Sequence, residues 1–181
     1  DALGDAPTAV TPQLRALAYG GGKMPQSVIE KALRLFPGVD FTNAYGLTEC
    51  TGGATIMREG DRYNTSVGQA IDAVEIRIAP RADSATAEDA DGPQDGEILL
   101  RGPIVMQGYF NRPDATAAVL KDGWFHTGDL GYLDAEGHLF ITGRLKEIIV
   151  LSSGKNLYPE EIEAHYRQSP LIKELCILGL T

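Results

Sequence analysis

The segment Tyr45-Gly46-Leu47-Thr48-Glu49 places an aromatic ring, a hydroxyl and a carboxylate within five residues. The ring can stack on a nucleotide base, the hydroxyl can contact a phosphate oxygen, and the carboxylate can bind Mg²⁺. A bland alternative, in which Tyr45 packs in the core and Glu49 caps a helix, fits this segment equally well. The segment therefore indicates a nucleotide site only in combination with other motifs.

Asp129 is a second candidate, because it lies in the glycine- and aromatic-rich stretch 123–131. A carboxylate held in a glycine turn beside aromatic rings can accept hydrogen bonds from both hydroxyls of a ribose. Alternatively, Asp129 satisfies only the backbone of its own turn. Further along, the charged residues of 143–147 lie between two predicted strands, where they are either functional or part of a solvated linker.

Other polar clusters carry less information. The glycine run 20–23 ends in a lysine, but a Walker-type phosphate loop also needs a glycine and a Ser or Thr at positions that Leu17 and Met24 occupy. The histidines have no ligand spacing, so we do not expect a metal site built on them; they are His126, His138 and His165.

The elements around Tyr45 follow the order strand, helix, strand, which is typical of an α/β fold. Apolar runs predict strands at 14–19 and 39–42. Between them, Pro25 suits the first turn of a helix whose apolar residues recur at helical spacing as far as Phe36. Tyr45 thus follows the end of a strand, where open α/β sheets bind ligands.

From Val67 the pattern changes to short alternating strands separated by turns, which predicts a small antiparallel β unit. One short helix interrupts it, beginning at Pro113 and ending near Gly123. The predicted strands are 74–78, 97–101 and 139–142.

The last part predicts a strand at 147–151, a helix from Pro159 and a strand at 175–178. This is the beginning of a unit that needs further partner strands. The pattern therefore indicates a fragment of a longer protein.

Taken together, the motifs resemble those of the adenylate-forming superfamily, which includes acyl-CoA synthetases, peptide-synthetase adenylation domains and firefly-type luciferases. They occur in the family's order and spacing, and the stretch 152–159 resembles fatty-acyl-CoA and long-chain acyl-CoA synthetases most. The matching stretches are 20–25, 43–49, 66–68, 96–109, 123–131 and 143–163.

The resemblance implies an α/β fold in three parts. Residues 1–66 would form the C-terminal part of the large α/β subdomain of the N-terminal domain, and 67–143 a small β-barrel-like subdomain. Residues 144–181 would contain the hinge and the beginning of an α+β C-terminal lid.

The resemblance also implies an ATP-dependent acyl-CoA ligase, which joins a carboxylic acid, here expected to be a fatty acid, first to AMP and then to CoA. Its cofactors would be ATP or AMP, Mg²⁺ and CoA. One alternative is an acyl-AMP ligase that loads an acyl carrier protein. Another is a non-catalytic module that binds adenylate or a partner.

Site residues follow from the same resemblance, position by position. The catalytic set would be Thr48 at the α-phosphate, Glu49 supporting Mg²⁺ and Lys146 as the hinge of the lid. The nucleotide and CoA contacts would come from Gly21 and Gly22 along the adenine and acyl pocket, Asn43, Tyr45 stacked on adenine, Gly46, Thr48, Asp129 on the ribose with Arg144, and Gly154 on the lid loop.

Two family elements have no counterpart in the sequence: the Ser/Thr/Gly-rich triphosphate loop and the lysine near the end of the lid. We therefore expect the isolated chain to be inactive.

Charge and hydropathy narrow the choice of partners. Sixteen Lys and Arg against 25 Asp and Glu give a formal net charge of −9, which disfavours nucleic acid and anionic membranes. No apolar run approaches the length of about 18 residues that a membrane helix needs, and no signal peptide is recognisable. A cytoplasmic protein without a transmembrane segment is the expectation.

Overall fold

The computed structural model describes residues 13–22, 24–58, 65–80, 95–151, 156–166, 169 and 171–179. It begins with a β-α-β unit of β1 (Ala16–Gly20), α1 (Gln26–Leu35) and β2 (Asp40–Tyr45). The two strands are parallel, with Gly20 opposite Ala44. Since parallel neighbours need a crossover connection, α1 is that connection, and the predicted strand-helix-strand order is confirmed.

Two short strands extend this first sheet. β3 (Thr55–Ile56) pairs antiparallel with β2, and β4 (Gln69–Ala70) pairs antiparallel with β3, in the order β1-β2-β3-β4. Neither was predicted, because two residues are too few to display an alternating pattern. Gly68 passes so close to the backbone of Ile56 that a Cβ would lie 2.1 Å from it, which explains the glycine.

The second sheet is antiparallel, as the alternating pattern predicted, but two of its five strands, Leu120–Lys121 and Trp124–Leu133, were not predicted. The strands are β5 (Glu75–Pro80), β6 (Gly96–Arg101), β7 (Leu120–Lys121), β8 (Trp124–Leu133) and β9 (Leu139–Arg144). They pair in the order β5-β6-β8-β7, and β9 pairs with the C-terminal part of β8.

The helix expected from Pro113 to near Gly123 is shorter than predicted. Helix α2 spans Pro113–Val119 and gives way directly to β7. Asp122 and Gly123 have φ of 51° and 78° and join Lys121 to Trp124, which pair across the turn. Positive φ at both central residues is typical of a tight two-residue hairpin turn, so Gly123 belongs to a hairpin and not to a helix end.

The core joins the two sheets. Ile98, Leu100, Phe125 and Leu139 of the second sheet lie in the same buried cluster as Cys50, just after β2. Ile98, Leu100 and Leu139 have no exposed surface. Complete burial of such a side chain stabilises the fold by about 1.5–3 kcal/mol. This cluster therefore holds the end of β2 against the second sheet.

The C-terminal part begins with a 3-10 helix at Leu145–Glu147, between β9 and β10 (Ile149–Val150). β11 (Asn156–Leu157) pairs antiparallel with β10, and α3 (Pro159–Tyr166) follows, which confirms the helix predicted from Pro159.

The strand predicted at 175–178 is wrong. Residues 175–178 have no assigned helix or strand. The Ile177 N–H donates to Oε1 of Glu163 in α3 at 2.9 Å, so at this residue the acceptor is a side chain and not the carbonyl of a neighbouring strand. None of the described helices has the length and the apolar sequence of a membrane span.

Candidate functional site

The site centres on a contact between the two sheets. The hydroxyl of Tyr45, the last residue of β2, donates a 2.7 Å hydrogen bond to Oδ2 of Asp129 in β8. Asp129 is only 6% exposed, while Tyr45 is half-buried. The structure thus brings together the two motifs that the sequence could present only separately.

Asp129 lies in a strand, which corrects the expectation that a glycine turn holds it. Glu97 pairs with Leu130 and Leu99 with His126, so three residues of β8, 127–129, lie opposite one residue of β6. Gly128, with φ of 75°, allows this bulge. Bulges redirect side chains locally. The extra residues therefore change the direction of the Asp129 side chain. The glycine-rich composition of the segment did not predict this bulge.

Thr127 supports Asp129 from within the bulge. Its Oγ1 accepts the Asp129 N–H at 3.0 Å and donates to the Ile98 carbonyl at 2.8 Å. Thr127 was not among the residues predicted for the site. Its position two residues before a buried carboxylate is a signal that could have found it, because Thr hydroxyls commonly bond the backbone two residues on.

Arg144 lies opposite Asp129 in the register of β8 and β9. Its Nε is 3.3 Å from Oδ1, and its side chain is 61% exposed, so the ion pair lies at the edge of the buried region. Arg144 also approaches Glu147, at 3.9 Å. The two residues that the resemblance assigned to the ribose are therefore in contact with each other.

The electrostatics of Asp129 reflect burial against its partners. Burial raises the pKa of Asp129, and the charges of Glu147 and Glu49 raise it further, while the Tyr45 hydrogen bond and Arg144 lower it. Burial and the neighbouring Asp129 carboxylate raise the pKa of Tyr45, so its hydroxyl remains a donor. The result is a poorly hydrated carboxylate held between one hydroxyl and one guanidinium.

Thr48 and Glu49 begin the 3-10 helix that follows β2. Thr48 is exposed and Glu49 half-buried. Oε1 of Glu49 accepts a 2.7 Å hydrogen bond from the hydroxyl of Tyr109. Tyr109 belongs to a motif of the family resemblance, but it was not among the predicted site residues.

Gly21 and Gly22 follow β1 at the sheet edge where β2 also ends, and both are exposed. Gly46 is constrained by packing: a Cβ there would lie 2.6 Å from the backbone of Gly52. Nδ2 of Asn43 donates to the Ser66 carbonyl at 3.4 Å. These predicted residues thus lie at the carboxyl end of the parallel pair, although their ligand contacts remain predictions.

Lys146 is exposed on the 3-10 helix between β9 and β10. Asp95 connects the chain before Lys146 to the chain after it. It accepts hydrogen bonds from Thr142 at 2.7 Å and from the hydroxyl of Tyr158 at 3.2 Å. Thr142 precedes Lys146 in the sequence and Tyr158 follows it, so Asp95 holds β9 and the start of α3 near each other. The predicted Gly154 lies outside the described residues.

One carboxylate–imidazole group lies apart from this site. Candidate ligand atoms of Asp134, Glu136 and His138 lie within 4.8 Å of one another. However, the Asp134 carboxylate accepts the backbone N–H of Glu136 at 3.0 Å and of His138 at 2.8 Å. These bonds close the turn between β8 and β9, which accounts for the group structurally.

The sequence is similar to that of known adenylate-forming ligases. Residues 3–110 match the family model described as "AMP-binding enzyme". The chain is 40% identical over 168 residues to indoleacetate–CoA ligase of Aromatoleum aromaticum, covering 92% of this chain and 32% of that protein. It is 36% identical to the long-chain-fatty-acid–CoA ligase of Escherichia coli O157:H7, covering 91% of this chain and 28% of that one.

Among solved structures, the chain is similar to o-succinylbenzoate CoA synthetase (MenE) of Bacillus subtilis. The complex of that enzyme with its acyl-adenylate intermediate gives a TM-score of 0.78 at 33% identity, over 92% of this chain and 33% of that one. Its complex with ATP and magnesium gives 0.76 at the same identity, over 92% of this chain and 34% of that one.

The chain thus spans about a third of the length of these relatives. The mixed α/β fold expected from the resemblance is confirmed, since the match to the solved structures covers nearly the whole chain. The family match covers more than half of the sequence and carries the Tyr45 and Glu49 motif. The chain belongs to the AMP-binding enzyme family.

Proposed function

We propose that the protein containing this chain is an AMP-forming acid–thiol ligase. A carboxylate would attack the α-phosphorus of ATP to give acyl-AMP and pyrophosphate, and the thiol of CoA would then displace AMP to give acyl-CoA. The observation that carries this proposal is the buried Asp129 carboxylate, held by Tyr45 and Arg144 at the carboxyl end of β2.

Asp129 would accept hydrogen bonds from the two ribose hydroxyls. Each carboxylate oxygen can accept two hydrogen bonds. Tyr45 occupies one position on Oδ2, and Arg144 approaches Oδ1. Among the described residues no other side chain donates to these oxygens, so one position on each would accept a ribose hydroxyl without displacing either partner.

Tyr45 would contribute its ring to the adenine. Its hydroxyl is already committed to Asp129, and this hydrogen bond limits rotation of the ring. A ring held in place loses little conformational freedom when a base stacks on it. Tyr45 and Asp129 would thus act together on the two halves of the nucleoside.

Thr48 and Glu49 would face the phosphates. The donor set suits magnesium, because Mg²⁺ prefers carboxylate and phosphate oxygens. Glu49 is half-buried, and none of the described side chains donates a hydrogen bond to its Oε2. Bound Mg²⁺ would offset negative charge on the phosphates. Glu49 would hold the ion, and the exposed Thr48 would donate to the α-phosphate.

Lys146 would be the pivot of a C-terminal lid. Support comes from its exposed position on a short 3-10 helix between β9 and β10, outside either sheet. On the family resemblance we propose subdomain boundaries at 66/67 and 143/144, with a lid loop at Gly154 that would approach the active site in the second half-reaction.

The acid is proposed to be a fatty acid, on the strength of the family resemblance at 152–159. Related ligases named for indoleacetate and for long-chain fatty acids are 40% and 36% identical to this chain, so identity alone does not choose between an aryl and an alkyl acid. A cytoplasmic location is proposed as well, since both ATP and CoA are available there.

The test uses the full-length protein with ATP, Mg²⁺, CoA and three acids: hexadecanoate, indole-3-acetate and benzoate. Pyrophosphate release reports adenylation, and loss of free thiol reports CoA acylation. We expect both signals with hexadecanoate. Preference for an aryl acid would retain the ligase and overturn the fatty-acid assignment.

Two further outcomes separate the alternatives. Pyrophosphate release without loss of CoA thiol, together with acylation of an added carrier protein, would identify an acyl-AMP ligase. Binding of AMP without release of pyrophosphate from ATP in the presence of any of the acids would identify a non-catalytic module. The Asp129→Asn variant is the control, because loss of ribose contacts should suppress adenylation with every acid.

A further inference from the structure

Glu49 accepts hydrogen bonds from a segment that has no role in the proposed mechanism. The hydroxyl of Tyr109 donates to Oε1 of Glu49 at 2.7 Å, and the N–H of Met106 donates to the Glu49 carbonyl, also at 2.7 Å. Both donors lie in the segment between β6 and α2, which follows a strand of the second sheet. Glu49 follows β2, a strand of the first sheet. The main chain and the side chain of Glu49 are thus held from the same direction.

Tyr109 is itself held by α2. Its N–H donates to Oγ1 of Thr116 at 2.9 Å, and that hydroxyl donates to the Arg112 carbonyl at 2.9 Å. Gly108 has φ of 151°, and a Cβ there would lie 2.8 Å from the Thr116 methyl. The backbone that carries Tyr109 therefore packs directly on Thr116, and this contact limits the positions that the phenol ring can take.

We propose that Tyr109 is a positioning residue that occupies Oε1 of Glu49 and so presents Oε2 to a divalent cation. This inference rests on the proposed role of Glu49 in holding Mg²⁺ and adds the residue that orients it. A free Glu side chain samples several rotamers, and ordering it costs free energy on binding. A carboxylate already held by Tyr109 avoids much of that cost.

The alternative is that Tyr109 only ties the two sheets together. In that case its hydroxyl contributes to folding stability, and metal affinity does not depend on it. The two alternatives differ in one measurable quantity, the affinity of the nucleotide complex for the metal.

The experiment compares Tyr109→Phe with Tyr132→Phe in the full-length protein. Tyr132 is the matched control, because its ring stacks on Phe140 at 4.9 Å and lies outside the proposed site. Mn²⁺ replaces Mg²⁺, a non-hydrolysable ATP analogue replaces ATP, and the free Mn²⁺ signal in electron paramagnetic resonance gives the dissociation constant. AMP affinity without metal is measured beside it.

We expect Tyr109→Phe to weaken Mn²⁺ binding about 10-fold or more, since loss of a hydrogen bond to a metal-binding carboxylate typically costs 10–100-fold in affinity. Tyr132→Phe should bind Mn²⁺ as the wild type does. AMP affinity should be unchanged in both variants, because Tyr109 does not touch Asp129. Equal Mn²⁺ affinity in wild type and Tyr109→Phe would overturn the proposal.

A second pair guards against a folding defect in Tyr109→Phe. Thr116→Val removes the hydroxyl that accepts the Tyr109 N–H, and Thr116→Ser keeps it. Weaker Mn²⁺ binding in Thr116→Val alone supports the inference, whereas equal binding in the two variants contradicts it. Failure of the wild type to bind AMP at all would instead overturn the proposed function.

Discussion

The hydroxyl of Tyr45 donates to Oδ2 of Asp129 across 84 residues of chain and across the two sheets. Tyr45 ends a strand of the parallel pair, and Asp129 lies in a bulge of the antiparallel sheet. One hydrogen bond therefore couples the residue proposed to stack on adenine to the residue proposed to bind ribose. The first predictions concern this pair.

Asp129→Asn should weaken AMP binding to the full-length protein at least about tenfold, since hydrogen bonds to a charged group contribute about 1.5–3 kcal/mol each. Isothermal titration calorimetry measures the affinity. Asp72→Asn is the matched control, because Asp72 is exposed in the turn before β5. Equal affinities for the two variants would reduce Asp129 to a structural residue.

The same substitution should change how stability depends on pH. Burial raises the pKa of Asp129 above its ordinary value of 3.8, so the folded protein holds this proton more tightly than the unfolded chain does. The stabilisation is fully present below pH 3.8 and is lost as pH rises through the folded pKa. Asn cannot ionise and therefore avoids the loss.

The direction of this pH dependence is tested by the melting temperatures of wild type and Asp129→Asn between about pH 3.5 and pH 8, a range that covers the titration of Asp side chains. The difference, variant minus wild type, should increase as pH rises and then level off. A difference that decreases with pH would mean that Tyr45 and Arg144 more than offset the burial of the charge.

Tyr45→Phe keeps the ring and removes the hydroxyl that holds Asp129. Affinity for AMP should fall about tenfold, which corresponds to about 1.4 kcal/mol. Affinity for 2′,3′-dideoxy-AMP, which lacks the ribose hydroxyls, should be the same in wild type and variant. If both ligands lose affinity equally, Tyr45 acts through the base and not through Asp129.

Lys146→Pro tests the hinge. Proline fixes φ near about −65° and biases Leu145 toward extended backbone, so the pivot loses the freedom that two lid orientations need. One half-reaction should fall about tenfold or more, equivalent to about 1.4 kcal/mol, while the other survives. Pyrophosphate exchange follows adenylation, and acyl-AMP supplied with CoA follows thioester formation.

Lys146→Ala is the control for this variant, because it removes the side chain but leaves the backbone free. Both half-reactions should survive in it at similar rates. An equal fall of both half-reactions in Lys146→Pro would indicate general damage to the fold. No fall in either would place the pivot elsewhere.

The 181-residue chain by itself should catalyse no carboxylate-dependent exchange of pyrophosphate into ATP. The family resemblance assigns triphosphate binding and carboxylate neutralisation to elements that its sequence does not contain. Exchange clearly above a blank without protein would contradict this expectation.

Local sequence was sufficient for much of the architecture. The β1-α1-β2 unit follows from apolar periodicity with Pro25 and the glycines as boundaries, because these signals act within a few residues. The tight turn at Asp122-Gly123 was also readable, since an Asp-Gly pair between strands favours positive φ at both residues. The prediction that the helix continues to near Gly123 did not take this Asp-Gly pair into account.

Tertiary structure decided what depends on partners distant in the chain. The sequence determined that Tyr45, Glu49 and Asp129 were candidates, but not that Asp129 lies in a bulged strand or that Tyr109 holds Glu49. Nor could it determine that no strand is assigned at 175–178 in the described part of the chain. A strand or a buried hydrogen bond forms only when a second segment supplies the complementary groups. Which segment does so is determined by the packing of the two sheets.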